Sequence, residues 1–334
     1  MHDVKPLAVI DGKTLSALDC EPPKFIVARL LPVGLSILSG SPKVGKSWLA
    51  LWLCQQVANG NPVWEFDTFK CSVLYLALED TVDRLHFRLS HITEEGAADS
   101  YFATDADNIS GNLIIQLEKF MQGKPDTGLI VIDTLQRIRG AATENKSGYA
   151  FDYEDMNKVK ATADRLKIAI LLIHHTRKLP DSDPFNTISG STGLTGSADT
   201  MFVLEKEKRA ENKATLHITG RDVEDMQINL EFDRDIKIWK FVSFASGEVK
   251  PPEKLINAVV SYLSVNKTFS GTASELSDGL KTVDETLLLT PNALSRALKE
   301  NALLLEKRHN VKQEFRRSNG VRLISLTISA DDCL

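Results

Sequence analysis

One stretch of the chain has the residue types and spacing needed to hold phosphate groups. Residues 40–47 read GSPKVGKS and match the pattern G-x-x-x-x-G-K-S at every fixed position. In such a loop, backbone N–H groups surround a phosphate at the positive end of the following helix. Lys46 would reach the terminal phosphate oxygens, and the Ser47 hydroxyl would be a ligand of Mg2+. The predicted nucleotide-binding residues of this loop are Gly40, Ser41, Pro42, Lys43, Val44, Gly45, Lys46 and Ser47.

Two acidic residues could complete this chemistry. Asp133 ends the apolar run LIVID, where its carboxylate could hold Mg2+ together with Ser47; an Asp in this position can also simply cap a helix. Glu79 ends the run SVLYLALE, where a carboxylate could orient or deprotonate an attacking water. The adjacent Asp80 is the alternative, since one of the two could cap a helix beginning near Thr81. We predict Glu79 as the base because it follows the apolar run directly.

Three further side chains are candidates for sensing or stabilising the terminal phosphate. His174 and His175 close the apolar run AILLI, and one of them could report whether that phosphate is present. The choice between them depends on strand register, and a hydrogen-bonded structural histidine is the alternative. Arg221 could form a surface ion pair, or it could stabilise transition-state charge in a neighbouring subunit's site. Lys206 is a weaker candidate for the same subunit border.

The elements that must position these residues alternate between residues 30 and 242. Apolar runs predicted as strands are followed by helical segments near residues 47–58, 81–90 and 153–166. Continuous apolar strands of this kind are buried on both faces of a parallel sheet flanked by helices. Four later runs, TMFVLEKE, KATLHITGR, MQINLEFD and IKIWKFV, predict strands of an antiparallel extension. The predicted fold class is therefore α/β, with a mainly parallel central sheet.

The rest of the chain divides into an arm, a linker and a smaller domain. Residues 1–29 have few periodic signals and predict an N-terminal arm. Residues 243–253 are rich in small, polar and proline residues and predict a linker. Residues 254–334 predict three helices followed by two strands around a Ser-Asn-Gly turn, the order of a winged-helix α+β module. Thr290 is the expected N-cap of the third helix, with Pro291 in its first turn.

Composition restricts the class of protein. Of the 334 residues, 43% are hydrophobic and 25% are charged, which is typical of a globular chain. No apolar run is long enough for a membrane helix, and the N-terminal residues lack a basic region followed by an apolar core. The four cysteines are scattered without metal-ligand spacing. We therefore expect no membrane partner, and a cytoplasmic protein with reduced thiols.

The net charge of −5 conceals a basic region near the C-terminus. Residues 251–330 contain eleven basic and eight acidic side chains, and residues 304–322 contain six and two. A local basic strip matters more to a polyanion than the global sum. Residues 290–301 resemble a recognition helix, which either contacts duplex DNA or belongs to a protein-docking module. The basic side chains expected to flank it on the wing are Lys307, Arg308, Lys312, Arg316 and Arg317.

Taken together, these motifs resemble the RecA-like ATPases, and most closely the plasmid- and phage-type replicative helicases related to RepA and DnaB. The resemblance covers about residues 30–242 and rests on GSPKVGKS, LYLALED, LIVIDT, LLIHHTRK and TGRDVED, in that order. It implies ATP and Mg2+ as cofactors, and a ring, expected to be a hexamer, with ATP sites between subunits. Glu79 would be the catalytic carboxylate, Asp133 the Mg2+-shell residue, His174 or His175 the sensor, and Arg221 an arginine finger.

The same resemblance implies an ATP-dependent DNA motor of a plasmid, phage or mobile element. Single-stranded DNA would pass through a central channel lined by residues 136–148 and by the loop after residue 178. The C-terminal module would contact duplex DNA or a replication protein. An ATP-gated initiator or regulator without unwinding activity is the alternative, and a recombinase-like filament is a third hypothesis.

Overall fold

The architecture comprises a large α/β core and a smaller C-terminal domain. The structure is a computed structural model, and it describes residues 7–18, 23–140, 148–177, 179, 181–206, 208, 211–245, 253–287, 289–318 and 321–329. The strands of this described part are β1 Phe25–Val27, β2 Leu31–Pro32, β3 Gly34–Gly40, β4 Ser72–Ala77, β5 Ser100–Ala103, β6 Thr127–Asp133, β7 Ala169–Ile173, β8 Thr200–Glu205, β9 Lys213–Gly220, β10 Met226–Asp233, β11 Ile238–Phe244, β12 Thr268–Gly271, β13 Val311–Ser318 and β14 Val321–Ile328. Its α-helices are α1 Gly12–Ala17, α2 Lys46–Asn59, α3 Val82–Ile92, α4 Leu113–Gly123, α5 Leu135–Ile138, α6 Gly148–Leu166, α7 Thr192–Ser197, α8 Glu253–Asn266, α9 Ala273–Lys281, α10 Pro291–Glu300 and α11 Ala302–His309.

Nine strands form the central sheet, in the order β11-β10-β9-β8-β3-β7-β6-β4-β5. The six strands from β8 to β5 are parallel, whereas β9, β10 and β11 continue the sheet antiparallel. The predicted α/β class, with a parallel centre and an antiparallel extension, is confirmed. One detail of the prediction is wrong: β8 is parallel to β3, so the extension begins at β9. The long segment between β7 and β8 returns the chain to the opposite edge of the sheet, which a parallel connection requires.

Helices cover both faces of the parallel strands, as their continuous apolar sequences predict. One hydrophobic cluster contains α2 residues such as Leu51 and Val57, packed on one face of the sheet. The other contains α6 residues such as Met156 and Val159, packed on the opposite face. Because side chains alternate along a strand, each parallel strand contributes to both clusters.

The core begins before residue 30, where the sequence prediction ended the N-terminal arm. Strand β1 pairs with β2, and its residues Ile26 and Val27 are buried in the same cluster as α2. Residue 28 donates its backbone N–H to the carbonyl of Asp67, which fastens this strand to the loop after α2. Strands β1 and β2 therefore belong to the core rather than to the arm.

The C-terminal domain has its own hydrophobic core and a three-stranded antiparallel sheet in the order β12-β14-β13. As expected, Thr290 is the N-cap of α10, accepting a hydrogen bond from the Ala293 N–H, and Pro291 lies in the first turn. The predicted strand over residues 302–309 is wrong, because these residues form α11. The hairpin consists of β13 and β14, and the winged-helix assignment remains a prediction. Most of the predicted linker, residues 246–252, lies outside the described residues.

Two basic residues of the C-terminal domain contact the core rather than solvent. Lys307 donates to the carbonyl of Thr68 at 2.9 Å, and the Arg308 guanidinium lies 3.3 Å from a carboxylate oxygen of Asp67. Arg308 also donates to the carbonyl of Glu65. The expectation that Lys307 and Arg308 lie on the wing is therefore wrong: both are on α11. None of the described helices combines the length and apolar character needed to cross a lipid bilayer.

Candidate nucleotide-binding site

The phosphate-binding loop, residues 40–47, connects the end of β3 to the start of α2. A Cβ atom on Gly40 would lie 2.6 Å from the carbonyl oxygen of Leu204 in the neighbouring strand. Gly45 is the N-cap of α2 with φ 111°, and a Cβ there would lie 2.9 Å from the indole nitrogen of Trp239. Only glycine fits both positions without strain. The loop thereby presents its backbone N–H groups at the N-terminus of α2, as an anion site requires.

Lys46 is held inside this loop. Its ammonium donates to the carbonyls of Gly40 at 2.8 Å and Ser41 at 3.1 Å. Burial lowers the pKa of Lys46 to about 8, against the opposing effect of the carboxylates of Asp133 and Glu79. The side chain is thus partly stripped of water before any phosphate arrives, and an anionic oxygen would favour its charged form.

Asp133 and Ser47 together provide the oxygen donors expected for Mg2+. The Asp133 carboxylate is buried and accepts a hydrogen bond from the Tyr75 hydroxyl at 2.7 Å. Burial raises the pKa of Asp133, while hydrogen bonds from Ser47 and Tyr75 lower it. Hydroxyl and carboxylate oxygens suit Mg2+, which is bound by few protein ligands and retains several waters. Among the described residues, no group of three or more His, Cys, Asp or Glu side chains could hold a metal ion instead.

The end of β4 separates the roles of Glu79 and Asp80. Asp80 forms ion pairs with Arg84 and Arg88 of α3, and Thr81 rather than either carboxylate caps that helix. The Glu79 side chain is exposed and accepts a hydrogen bond from the Thr134 hydroxyl at 3.0 Å. Since Asp80 is committed to α3, this geometry favours Glu79 as the carboxylate available to a water molecule.

Strand register separates the two histidines. Ile173 of β7 packs in the cluster that contains α2, and Leu172 packs in the cluster on the opposite face. Alternation continued past the strand end directs His175 towards the phosphate-binding loop and His174 away from it.

The surroundings of the two rings agree with this alternation. His174 is buried and bonded to the carbonyl of Ser189 at 2.8 Å, and burial lowers its pKa to about 4. Burial and the nearby Lys46 lower the pKa of His175, while Glu79 and Asp133 raise it. The Nδ1 atom of His175 is buried without a hydrogen-bond partner. His175 is therefore the candidate sensor, and His174 is a structural residue.

Arg221 lies at the edge of the sheet opposite the phosphate-binding loop. Its neighbour Gly220 pairs with Thr200 at the start of β8, whereas Gly40 aligns four residues further along β8, or about 13 Å away. The guanidinium is 59% exposed and lies 3.5 Å from the carboxylate of Asp199. Arg221 therefore does not join the site of its own chain.

Lys206 follows β8 at the other edge, so the expectation that it shares a border with Arg221 is wrong. Its ammonium lies over the Trp239 ring, 5.0 Å from the centroid. The indole of Trp239 in turn donates to the carbonyl of Gly45 at 3.3 Å. Lys206 is thus a neighbour of the phosphate-binding loop within one chain.

Three site residues escaped the sequence analysis. Tyr75 lies in the middle of the apolar run SVLYLAL, and only its alignment with Asp133 across two strands makes it functional. Trp239 reaches the phosphate-binding loop from nearly 200 residues away, and no local pattern announces this. Thr134 had a recognisable signal, because it directly follows Asp133 at a strand end, where polar side chains meet the site.

Comparison with known proteins identifies the family. A family model described as an AAA domain matches residues 4–181, more than half of the chain. The chain belongs to this AAA domain family. The matched residues include the phosphate-binding loop, Glu79, Asp133 and His175, whereas Arg221 and the C-terminal domain lie beyond them.

Relatives of this AAA domain chain have names that concern DNA. Three curated proteins of Streptococcus pyogenes, from serotypes M6, M18 and M1, are each named DNA repair protein RadA and are 23% identical over 227 residues. These cover 68% of this chain but 43% of each relative, so the chain spans less than half the length of the curated relatives it matches.

Two solved structures share the fold of the core. The ATPase domain of G40P matches with a TM-score of 0.50 and 15% identity, over 65% of this chain and 86% of that one. A DnaB-like replicative helicase, solved in a study of its interactions with primase, matches with a TM-score of 0.50 and 13% identity, over 68% and 66%. The core is therefore a RecA-like P-loop ATPase fold, resembling the ATPase domains of replicative helicases.

Proposed function

We propose that this chain is an ATP-dependent DNA motor, a ring-forming replicative helicase of a plasmid, phage or mobile element. One observation carries the proposal: the groups for binding and cleaving ATP gather at one edge of the sheet, while Arg221 stands exposed at the opposite edge. An arginine finger in that position can only serve the site of another copy. Because such a contact is head-to-tail, repeating it generates a ring or a filament.

Within one site, the side chains divide the work. Lys46 binds the terminal phosphates, and Ser47 with Asp133 holds Mg2+, which when bound neutralises charge on the phosphate oxygens. Glu79 orients a water molecule and accepts its proton. His175, with its unpaired Nδ1 beside Lys46, is suited to contact the terminal phosphate and to respond to its loss.

Single-stranded DNA is the proposed partner of the ring. The names of the curated relatives refer to DNA repair, and those of the structural relatives to replication, which supports DNA as the polymer acted on. Part of the predicted channel segment, residues 141–147, lies outside the described residues. The exposed residues Lys312 and Arg316 of β13 support a role of the C-terminal domain in binding duplex DNA or an acidic protein surface.

The test is ATP turnover with and without single-stranded DNA. A motor should hydrolyse ATP much faster on single strands and should separate the strands of a forked duplex. Lys46→Ala, which lacks the phosphate contact, serves as the inactive control. An ATPase rate that single strands leave unchanged, with no unwinding, would favour the alternative of an ATP-gated initiator or regulator.

A further inference from the structure

The hydroxyl of Thr134 makes a contact that a helix N-cap does not ordinarily make. Thr134 is the N-cap of α5 with extended backbone angles, yet its side chain forms no capping hydrogen bond. Its Oγ1 instead donates to Oε1 of Glu79 at 3.0 Å. Since a Thr N-cap usually accepts from the first helical turn, this hydroxyl is diverted from helix stabilisation to the carboxylate of a neighbouring strand.

The backbone around this contact is tightly fixed. The N–H of Leu78 donates to the carbonyl of Asp133 at 2.8 Å, which joins the ends of β4 and β6. Arg137 of α5 donates to the carbonyl of Leu78 at 3.1 Å. Thr134 itself is 1% exposed. The donor is therefore rigid, whereas the acceptor is an exposed side chain with several rotamers.

We infer that Thr134 is a positioning residue for Glu79, and this inference rests on the proposed role of Glu79 as general base. The Thr134 hydroxyl occupies Oε1 and leaves Oε2 free to accept a hydrogen bond from the attacking water. In the reaction, the water proton passes to Oε2, the water oxygen bonds to the terminal phosphorus, and the bond from that phosphorus to ADP breaks. Thr134 thereby limits the orientations of Glu79 to those that present Oε2, because holding a catalytic group in place removes an entropic cost from the reaction step.

This role predicts a specific pattern of kinetic changes. Thr134→Val keeps the shape of the side chain but removes the donor, so kcat should fall about 10-fold or more, as expected for losing a hydrogen bond to a charged group. Thr134→Ser retains the donor and should recover most of the rate. The affinity for a non-hydrolysable ATP analogue, measured by titration calorimetry, should stay within about twofold of wild type in both variants.

A matched control exists on the same strand. Thr127 begins β6, is 4% exposed, and donates its hydroxyl to the carbonyl of Lys124 at 2.7 Å, at the edge away from the site. Thr127→Val removes a comparable buried hydroxyl and should leave kcat unchanged. If Thr127→Val and Thr134→Val lowered kcat equally, the effect of Thr134 would be one of general stability and the inference would be wrong.

A double-mutant cycle with Glu79 separates the inference from the proposal beneath it. In a Glu79→Ala background, Thr134→Val should cause no further loss of turnover, because the positioned group is gone. A full additional loss in that background would show that Thr134 acts independently of Glu79. Wild-type kcat in Thr134→Val, with Glu79→Ala inactive, would overturn the positioning role alone. Full activity of Glu79→Ala would instead reject the base assignment itself.

Discussion

The ATPase core and the C-terminal domain use their functional residues in opposite ways. In the core, Lys46, Glu79, Asp133 and His175 are separated by up to 129 residues, yet they meet at one edge of the sheet. In the C-terminal domain, basic residues that are close in sequence diverge, because Lys307 and Arg308 bind the core while Lys312 and Arg316 face solvent.

This difference follows from the elements that carry the residues. Parallel strands bring their carboxyl ends to one edge, so strand-end residues converge however far apart they are in sequence. A helix followed by a hairpin separates successive side chains, since α11 rests on the loop after α2 while β13 runs outwards. Convergence in the core is therefore a property of topology, and a basic cluster in the sequence of the C-terminal domain is not a cluster in space.

The strongest test of this contrast concerns the one predicted catalytic residue that does not converge. Arg221→Ala should bind ATP normally but hydrolyse it about 1,000-fold more slowly, as expected for losing an arginine finger. Lys160 also binds Asp199, so that carboxylate keeps a partner and the fold should persist. ATPase assays should compare Arg221→Ala with Lys213→Ala, an exposed residue at the other end of β9.

Mixing Arg221→Ala with Lys46→Ala subunits provides the decisive arm. If sites are shared between copies, the finger of one variant should complete the intact site of the other and restore activity. Mixed assemblies that form but stay inactive at every ratio would mean that Arg221 acts within its own chain or is structural.

Within the convergent edge, Glu79→Gln should retain ATP binding and slow hydrolysis by about 100-fold or more, the contribution of a general base. Single-turnover ATPase assays measure this, with Glu94→Gln, an exposed residue just after α3, as the control. Full turnover in Glu79→Gln would place the base elsewhere, for which Asp80 is the remaining carboxylate.

The C-terminal domain offers a matched pair of double variants. If β13 contacts duplex DNA, Lys312→Ala with Arg316→Ala should flatten the slope of log K against log salt by about 1.8, or 0.9 per lost phosphate contact. Lys307→Ala with Arg308→Ala should leave that slope unchanged, because these side chains are bound to the core. Gel-shift titrations at several salt concentrations compare the two. Equal slopes in both pairs and in wild type would assign the domain to protein contacts.

A smaller effect concerns pH. Because burial lowers the pKa of Lys46 to about 8 in the free protein, its charge is present below that pH and is lost as the pH rises. ATP affinity should therefore weaken several-fold between pH 7 and pH 9, since a bound phosphate favours charged Lys46. Calorimetric titrations across this range measure the change. Lys46→Arg, which stays charged throughout, should lose this dependence even if its affinity is lower.

The sequence was a good guide to the core because its signals were local. Residues 40–47 carry a complete motif, and the apolar strands announced a parallel sheet. The choice of His175 over His174 required the alternation of β7, and the distance of Arg221 from its own site required the strand order. Residues 302–309 were misjudged because a short apolar run fits a strand as well as a helix. Asn301, where α10 ends and α11 begins, conceals the continuation of the helical path.

The stacking of Trp239 on the phosphate-binding loop has an optical consequence. The chain has four tryptophans, and all lie in the core: Trp48 and Trp52 in α2, Trp64 packed on Trp52, and Trp239 over Gly45. The indole of Trp64 also donates to the carbonyl of Trp239 at 2.7 Å. Intrinsic tryptophan fluorescence of the full-length chain therefore originates entirely around the nucleotide site. It is a label-free signal for ATP binding to which the C-terminal domain contributes no emission of its own.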